Sequence, residues 1–168
     1  TTDKFDNIKN VNLSEQIVSI DDKAFYNNDT LESVTMTDEV THIGDSAFGS
    51  CKFPDIYIPP HLMQIGENAF QCNKLTKISL PDSLIEIGRS AFNSCAALAE
   101  IQIGGQTRII GEKAFLECTR LQTVHMSDAV TSIGPEAFSK CNALKTITLS
   151  NNLVEIGNYA FNGCVSLE

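Results

Sequence analysis

The dipeptide Ala-Phe recurs seven times along the chain, at intervals of 22 or 23 residues. This column takes seven of the nine phenylalanines. Its members are Phe25, Phe48, Phe70, Phe92, Phe115, Phe138 and Phe161. A fixed period of this length is typical of solenoid proteins, in which a unit can bury its apolar edge only against the units before and after it.

Two other apolar columns share the period. An isoleucine stands five residues before each of these phenylalanines, and glycine follows it in the last six copies. The apolar pattern Leu-x-x-Ile-x-Leu precedes this isoleucine within the repeat, as in Leu75, Ile78 and Leu80. The repeats begin near residues 8, 31, 53, 75, 98, 121 and 144, and an eighth opens at Leu167. Residues 1–168 are therefore predicted to form one repeat domain, and the absence of recognisable caps suggests a piece of a longer array.

Each repeat predicts three local structures, which together make an α/β repeat solenoid. Ile-x-Leu, with its period of two, predicts a parallel strand with one face buried. The later Leu-x-x-Ile-Gly predicts a shorter extended segment, with glycine supplying a positive φ at the corner. The stretch around Ala-Phe predicts one helical turn, with Asp45, Glu67 and Glu112 at its N-terminal end.

Two repeats are one residue short. One residue separates Cys51 from Phe53, and Cys72 follows Phe70 after one residue instead of two. Both deletions fall in the predicted helical turn and its exit. We therefore expect that edge to tolerate length changes and the strand edge not to tolerate them.

The charge balance disfavours several kinds of partner. The chain has 21 acidic and 12 basic residues, a formal net charge of -9. Binding to nucleic acid or to an anionic membrane depends on clustered Lys and Arg, so neither is expected. No apolar run reaches the roughly 18–20 residues that span a bilayer, so no membrane insertion is predicted for this segment.

The cysteines all occupy one repeat position, which predicts a packing role. They are Cys51, Cys72, Cys95, Cys118, Cys141 and Cys164. Cysteine packs as a small buried hydrophobe, so we expect a ladder of reduced thiols inside the coils. Coils about 5 Å apart also permit isolated cross-coil disulfides on distance alone. No Cys-x-x-Cys pair occurs, so zinc is not expected, and we predict no metal or cofactor.

No catalytic constellation is recognisable. His42, His61 and His125 fall at different repeat positions, and the sequence has neither a Walker phosphate loop nor a nucleophile elbow. We predict a non-enzymatic protein without catalytic residues.

The outward position of the predicted strand is the candidate partner-contact face. Starting from Asn12 in the first repeat, it continues as Thr35, Tyr57, Ser79, Gln102, His125 and Thr148. This column, here called the face column, is polar and nearly uncharged, and Tyr57 is its one residue of the aromatic kind that dominates binding hot spots. Such a surface suits weak or multivalent contact with a protein partner.

The segments "IGRSAFNSCAALAEIQI" and "IGPEAFSKCNALKTITL" resemble the BspA-like leucine-rich repeats, also called the Treponema pallidum type. The resemblance implies a right-handed leucine-rich-repeat coil with parallel β-strands on one face and short helical turns on another. It also implies a cell-surface or secreted protein, of host-associated bacteria or parasitic protists, that binds host proteins in adhesion. Two other functions stay open: a structural spacer holding another domain off the cell surface, and a carbohydrate-binding module, which the scarcity of Trp and Tyr disfavours.

Overall fold

The computed structural model describes residues 8–71 and 74–168. In those ranges the chain forms short parallel strands joined by turns, two strands in most coils. The strands are β1 (Asn10–Asn12), β2 (Ser19–Ile20), β3 (Ser33–Thr35), β4 (His42–Ile43), β5 (Gln64–Ile65), β6 (Ile78–Ser79), β7 (Glu86–Ile87), β8 (Glu100–Gln102), β9 (Ile109–Ile110), β10 (Thr123–His125), β11 (Ser132–Ile133), β12 (Thr146–Thr148) and β13 (Glu155–Ile156).

A seven-stranded parallel sheet, here called the long sheet, runs through every coil in the order β13-β11-β9-β7-β5-β4-β2. Its register pairs each isoleucine of the repeat with the isoleucine of the next coil, from Ile20 and Ile43 to Ile133 and Ile156. The repeat period predicted this stacking, and the structure confirms it.

The second set of strands carries the face column and is interrupted. One sheet pairs β1 with β3, and another has the order β12-β10-β8-β6. Between them, residues 53–58 form no strand. The shortened exit after Cys51 leads directly into this segment. The irregularity beside this deletion therefore lies in the strand edge, contrary to the expectation that the deletions affect only the opposite edge. The second deletion adjoins Cys72, which lies outside the described residues.

The phenylalanines stack as a file along the solenoid axis. From Phe25 to Phe161, consecutive ring centroids lie 5.1–5.5 Å apart, with interplanar angles of 13° or less. The five inner rings of the file are completely buried. Because the ring spacing follows the coil spacing, each coil buries its aromatic residue only between its neighbours.

The predicted helical turns are wrong; the Ala-Phe segment is a series of β-turns, here called the turn edge. In coil 2 the residues two before and two after Phe48 have positive φ, 53° at Ser46 and 63° at Ser50. Such alternation is incompatible with a right-handed helix. The alternating φ values direct every second backbone N–H along the solenoid axis. As a result, Ser46, Phe48 and Ser50 donate their N–H groups to carbonyl oxygens of the next coil at 2.7–2.9 Å. The described residues of the other inner coils repeat the pattern.

The acidic residues predicted to cap helices have other roles. Asp45 accepts the N–H of Glu67 on its Oδ1 at 2.7 Å, and Asp22 accepts that of Asp45 in the same way. These carboxylates join one coil to the next. Glu67 and Glu112 instead flank Arg89, with N···O separations of 4.0 and 3.4 Å. All of these ion-paired groups are substantially exposed, so each pair contributes little to stability.

The corner glycines are required for close packing and not for a positive φ. Among the described residues, Gly163 is the glycine with positive φ, and it lies outside these corners. A Cβ on Gly88 would lie 2.6 Å from the carbonyl oxygen of Ile65 and 2.7 Å from the carbonyl carbon of Gly66. The backbones of adjacent coils therefore approach too closely at the corner for any side chain.

Candidate partner-contact face

The structure places the face column on the outward side of the interrupted sheet. Thr35, Ser79, Gln102, His125 and Thr148 are all exposed on strands. Parallel pairing aligns Ser79 with Gln102, Gln102 with His125, and His125 with Thr148. Asn12 likewise pairs with Thr35. The face column is thus two aligned groups, with Tyr57 between them in the interrupted segment. Whether it binds a partner stays a prediction.

Few charges lie beside the face column. In the adjacent outward column, Glu100 Oε1 lies 3.7 Å from His125 Nε2, and both side chains are largely exposed. That contact becomes an ion pair only when the imidazole is protonated. Ser33 donates its hydroxyl to Asn10 Oδ1 at 2.6 Å. The face column from Ser79 to Thr148 is therefore an exposed polar surface, suited to hydrogen bonding.

Tyr57 is held in place by a residue of the preceding coil. Its hydroxyl donates to Asp38 Oδ1 at 2.6 Å, and the ring remains 52% exposed. This hydrogen bond, with smaller effects of desolvation and of the Asp38 charge, raises the pKa of the Tyr57 hydroxyl. Sequence reasoning selected Tyr57 but missed Asp38, because the two residues occupy different repeat positions.

The backbone around Tyr57 also departs from the regular pairing of the repeat strands. Pro54 has no N–H, and its carbonyl accepts both the N–H and the hydroxyl of Thr76, at 2.8 and 3.1 Å. In the described part of the chain, no backbone hydrogen bond joins residues 55–58 to either neighbouring coil. This segment therefore takes no part in the backbone pairing that joins the other strands of the face.

The thiols of the cysteine column point inward and donate to carbonyl oxygens. The five cysteines in the described ranges each place Sγ 3.0–3.2 Å from the carbonyl oxygen of a phenylalanine in the preceding coil. These five cysteines are free thiols that lie in one file inside the coils, as their shared repeat position predicts; Cys72 lies outside the described residues. Burial, followed by the proximity of neighbouring thiols, raises the pKa of Cys118 and Cys141. Their low reactivity fits a packing role.

No other cluster of chemistry-bearing side chains stands out. Within residues 8–71 and 74–168, no group of three or more His, Cys, Asp or Glu is arranged to hold a metal ion. A surface depression of about 600 Å³ near His42 is lined by Asp22 and Asp45. The Oδ1 atoms of both carboxylates already accept backbone N–H groups. His61 and His125 lie elsewhere on the solenoid.

The stacked coils, the phenylalanine file and the outward polar column define a solenoid of the leucine-rich type. The sequence profile of the BspA type leucine-rich repeat region matches residues 3–119 and 108–168, with six copies. The chain belongs to this family. A search of the curated proteins found no match.

Solved structures also show similarity to leucine-rich-repeat proteins. The crystal structure of a T. pallidum leucine-rich repeat protein is 31% identical, with a TM-score of 0.85 over 95% of this chain and 78% of that one. A leucine-rich repeat protein from Eubacterium ventriosum is 17% identical, with a TM-score of 0.73 over 92% of this chain and 58% of that one. The pneumococcal vaccine antigen PcpA is 16% identical, with a TM-score of 0.53 over 96% of this chain and 50% of that one. The last two likenesses concern the fold alone.

In the described residues, no helix is long and apolar enough to cross a bilayer.

Proposed function

We propose that this chain is a non-enzymatic, protein-binding module of a cell-surface or secreted protein, and that the face column is its contact surface. The observation that carries the proposal is the alignment of exposed Ser79, Gln102, His125 and Thr148 in one register, on a sheet whose own backbone is paired. The side chains at these positions are exposed and do not pack into the core. They are therefore available to a partner, and each coil adds one more contact.

Adhesion to host proteins and a surface or secreted location are the finer parts of this proposal. They rest on what the family resemblance implies. A polar face with a single aromatic residue favours many modest contacts over one deep anchor. Such a surface fits an adhesin, in which several coils or several molecules engage a partner together.

Two alternatives make different predictions. A structural spacer would bind no protein through the face column. A carbohydrate-binding module would need rings for sugar stacking, and the chain has no Trp and only three Tyr. A glycan array would detect the second alternative directly.

The test compares two triple variants against a panel of immobilised vertebrate extracellular proteins. The face variant carries Gln102→Arg, His125→Glu and Thr148→Arg. The matched control carries Gln64→Arg, His42→Glu and Ser19→Arg, which are exposed outward positions of the long sheet. Both sets make the same change in charge on strands.

We expect the face variant to lose binding to any protein that the unmodified chain captures, and the control to keep it. Equal binding by the two variants, or no captured protein at all, would contradict the proposed function. Far-ultraviolet circular dichroism and thermal melts establish that both variants are folded.

A further inference from the structure

Asn162 and Gly163 form an Asn-Gly pair on the turn edge, and no other Asn-Gly pair occurs in the sequence. The side chain of Asn162 is exposed, and Gly163 has a φ of 79°. The amide carbon of an asparagine side chain can be attacked by the backbone nitrogen of the next residue, which closes a cyclic imide. Glycine in that next position presents no Cβ to hinder the approach. The pair therefore contains both groups that such a reaction needs.

The backbone N–H of Gly163 differs from its counterparts in earlier coils. At this repeat position the N–H is donated to a carbonyl oxygen of the next coil, by Ser94 at 2.8 Å and by Lys140 at 2.6 Å. Within the described residues, the N–H of Gly163 donates to no acceptor. A nitrogen held by a hydrogen bond has to break it before it can attack, which costs free energy. The nitrogen of Gly163 has no such cost to meet.

Two other asparagines separate these requirements. Asn158 is also exposed, and the N–H of Tyr159 after it has no acceptor in the described part of the chain, but Tyr159 carries a bulky side chain. Asn93 occupies the repeat position of Asn162 in an earlier coil, where the following Ser94 is held by its hydrogen bond to the next coil. Asn162 thus combines an exposed amide, a following glycine and a backbone nitrogen that no neighbouring coil holds.

We propose that Asn162 is a site of spontaneous deamidation in the folded chain. The backbone nitrogen of Gly163 loses its proton to water or hydroxide and attacks Cγ of Asn162. A bond forms between this nitrogen and Cγ, the bond from Cγ to the side-chain nitrogen breaks, and that nitrogen leaves as ammonia. Water then opens the cyclic imide at either carbonyl carbon, which gives an aspartyl or an isoaspartyl residue. The net reaction consumes water and releases ammonia, with no oxidation or reduction.

Both products change this part of the turn edge. Each adds a negative charge to a chain whose formal net charge is already -9. In the isoaspartyl product the backbone passes through the former side chain of Asn162. The carbonyl of Asn162 that accepts the N–H of Lys140 at 2.6 Å then becomes a carboxylate outside the chain path. The inference goes beyond the proposed function and does not depend on it.

The experiment incubates the folded protein at mildly alkaline pH and follows each asparagine by mass spectrometry of proteolytic peptides, with chromatography to separate isoaspartyl from aspartyl products. The matched variant is Ser94→Gly, which creates an Asn-Gly pair at the same repeat position of an inner coil. The φ of 59° at Ser94 accommodates glycine. We expect Asn162 to convert, and Asn93 of this variant to convert about tenfold more slowly because its partner nitrogen is held. Asn158 should keep its amide.

A second variant and an unfolded reference complete the test. Gly163→Ser introduces the residue type that Ser50 and Ser94 supply at this repeat position with positive φ, and should slow the conversion of Asn162. In urea, both Asn-Gly pairs of the Ser94→Gly variant should convert at equal rates. The proposal is overturned if Asn162 keeps its amide in the folded chain while converting in urea, if folded Asn93 of that variant converts as fast as Asn162, or if Gly163→Ser changes nothing. Thermal melts establish that each variant is folded.

Discussion

The thiol of Cys118 donates its hydrogen to the backbone carbonyl oxygen of Phe92, one coil earlier, at 3.2 Å. Both residues are completely buried. The cysteine column thus joins consecutive coils through side chain to backbone hydrogen bonds, in addition to filling space. A buried carbonyl that loses such a donor loses favourable free energy, even when the volume change is small.

The first prediction concerns this bond. Cys118→Ala removes the donor and a small volume, and should lower the free energy of unfolding by about 1–3 kcal/mol. Urea denaturation followed by circular dichroism measures the change. Ala143→Gly, in a less buried loop position, is a control for a small truncation outside the ladder. A loss for Cys118→Ala no larger than that of the control would refute a stabilising role for the thiol.

The second prediction concerns pH. Burial raises the pKa of Cys118 and Cys141, so both thiols stay protonated in the folded chain at pH values where the unfolded chain ionises. The two thiols therefore make their full contribution to the free energy of unfolding below about pH 8.5, the ordinary thiol pKa. That contribution falls as the pH rises above this value. Each thiol should add a slope of about -1.4 kcal/mol per pH unit there.

Unfolding free energies between pH 8 and 10.5 test this slope. The double variant Cys118→Ala/Cys141→Ala provides the reference, because it differs from the parent only in these two thiols. We expect the parent to lose stability more steeply with pH than the double variant. Parallel curves would contradict the raised pKa values.

The third prediction distinguishes β-turns from a helix at the turn edge. Ser50 is exposed and has a φ of 63°. At such a position Gly should be more stable than Ala by about 1 kcal/mol, because a Cβ is disfavoured there. In a helix the order would be reversed by a similar amount. Thermal unfolding of Ser50→Gly and Ser50→Ala gives the answer directly, and a more stable alanine variant would restore the helical interpretation.

The fourth prediction concerns the corner. Gly88→Ala should destabilise the fold by about 1–3 kcal/mol or more, since the new methyl would overlap backbone atoms of the preceding coil. Gly105→Ala is the control, because its Cβ would lie 3.2 Å from the movable carboxylate of Asp82 and no backbone atom comes closer. Chemical denaturation compares the two, and equal effects would show that close coil packing is not what requires glycine.

The sequence predicted the parts of the fold that one residue type at one period determines. The isoleucines preceding each corner and the file from Phe25 to Phe161 stack as expected, because a side chain buried in one coil meets its own copy in the next. The cysteine column was placed inside for the same reason. Its hydrogen bonds to carbonyl oxygens were not foreseen, since a thiol at a buried position does not indicate what it faces.

The turn edge could not be predicted from residue types. Ser46, Lys113 and Glu136 have positive φ, although none of these residue types favours that conformation. They adopt it because the N–H of each is needed for a hydrogen bond to the next coil. Acidic residues before Ala-Phe suggested helix capping, because the same residues commonly begin helices.

The candidate site was predicted in part. Periodicity placed Gln102 and His125 correctly on the outward side, but the hydrogen bond from Tyr57 to Asp38 joins different repeat positions and leaves no periodic signal. The break in the sheet did have a signal. Pro54 removes a donor, and the short exit after Cys51 leaves the chain one residue less to reach the strand.

Amide hydrogen exchange, resolved by residue, tests the stacked but interrupted solenoid most directly. We expect slow exchange for Phe70, Ile103 and Phe115, whose N–H groups donate to the next coil at 2.7–2.8 Å. We expect fast exchange for Asp55, Ile56 and Tyr57, for which no such hydrogen bond is formed. Protection of Tyr57 as strong as that of Ile103 would show a continuous face sheet, and fast exchange at Phe70 and Phe115 would show that the coils do not stack.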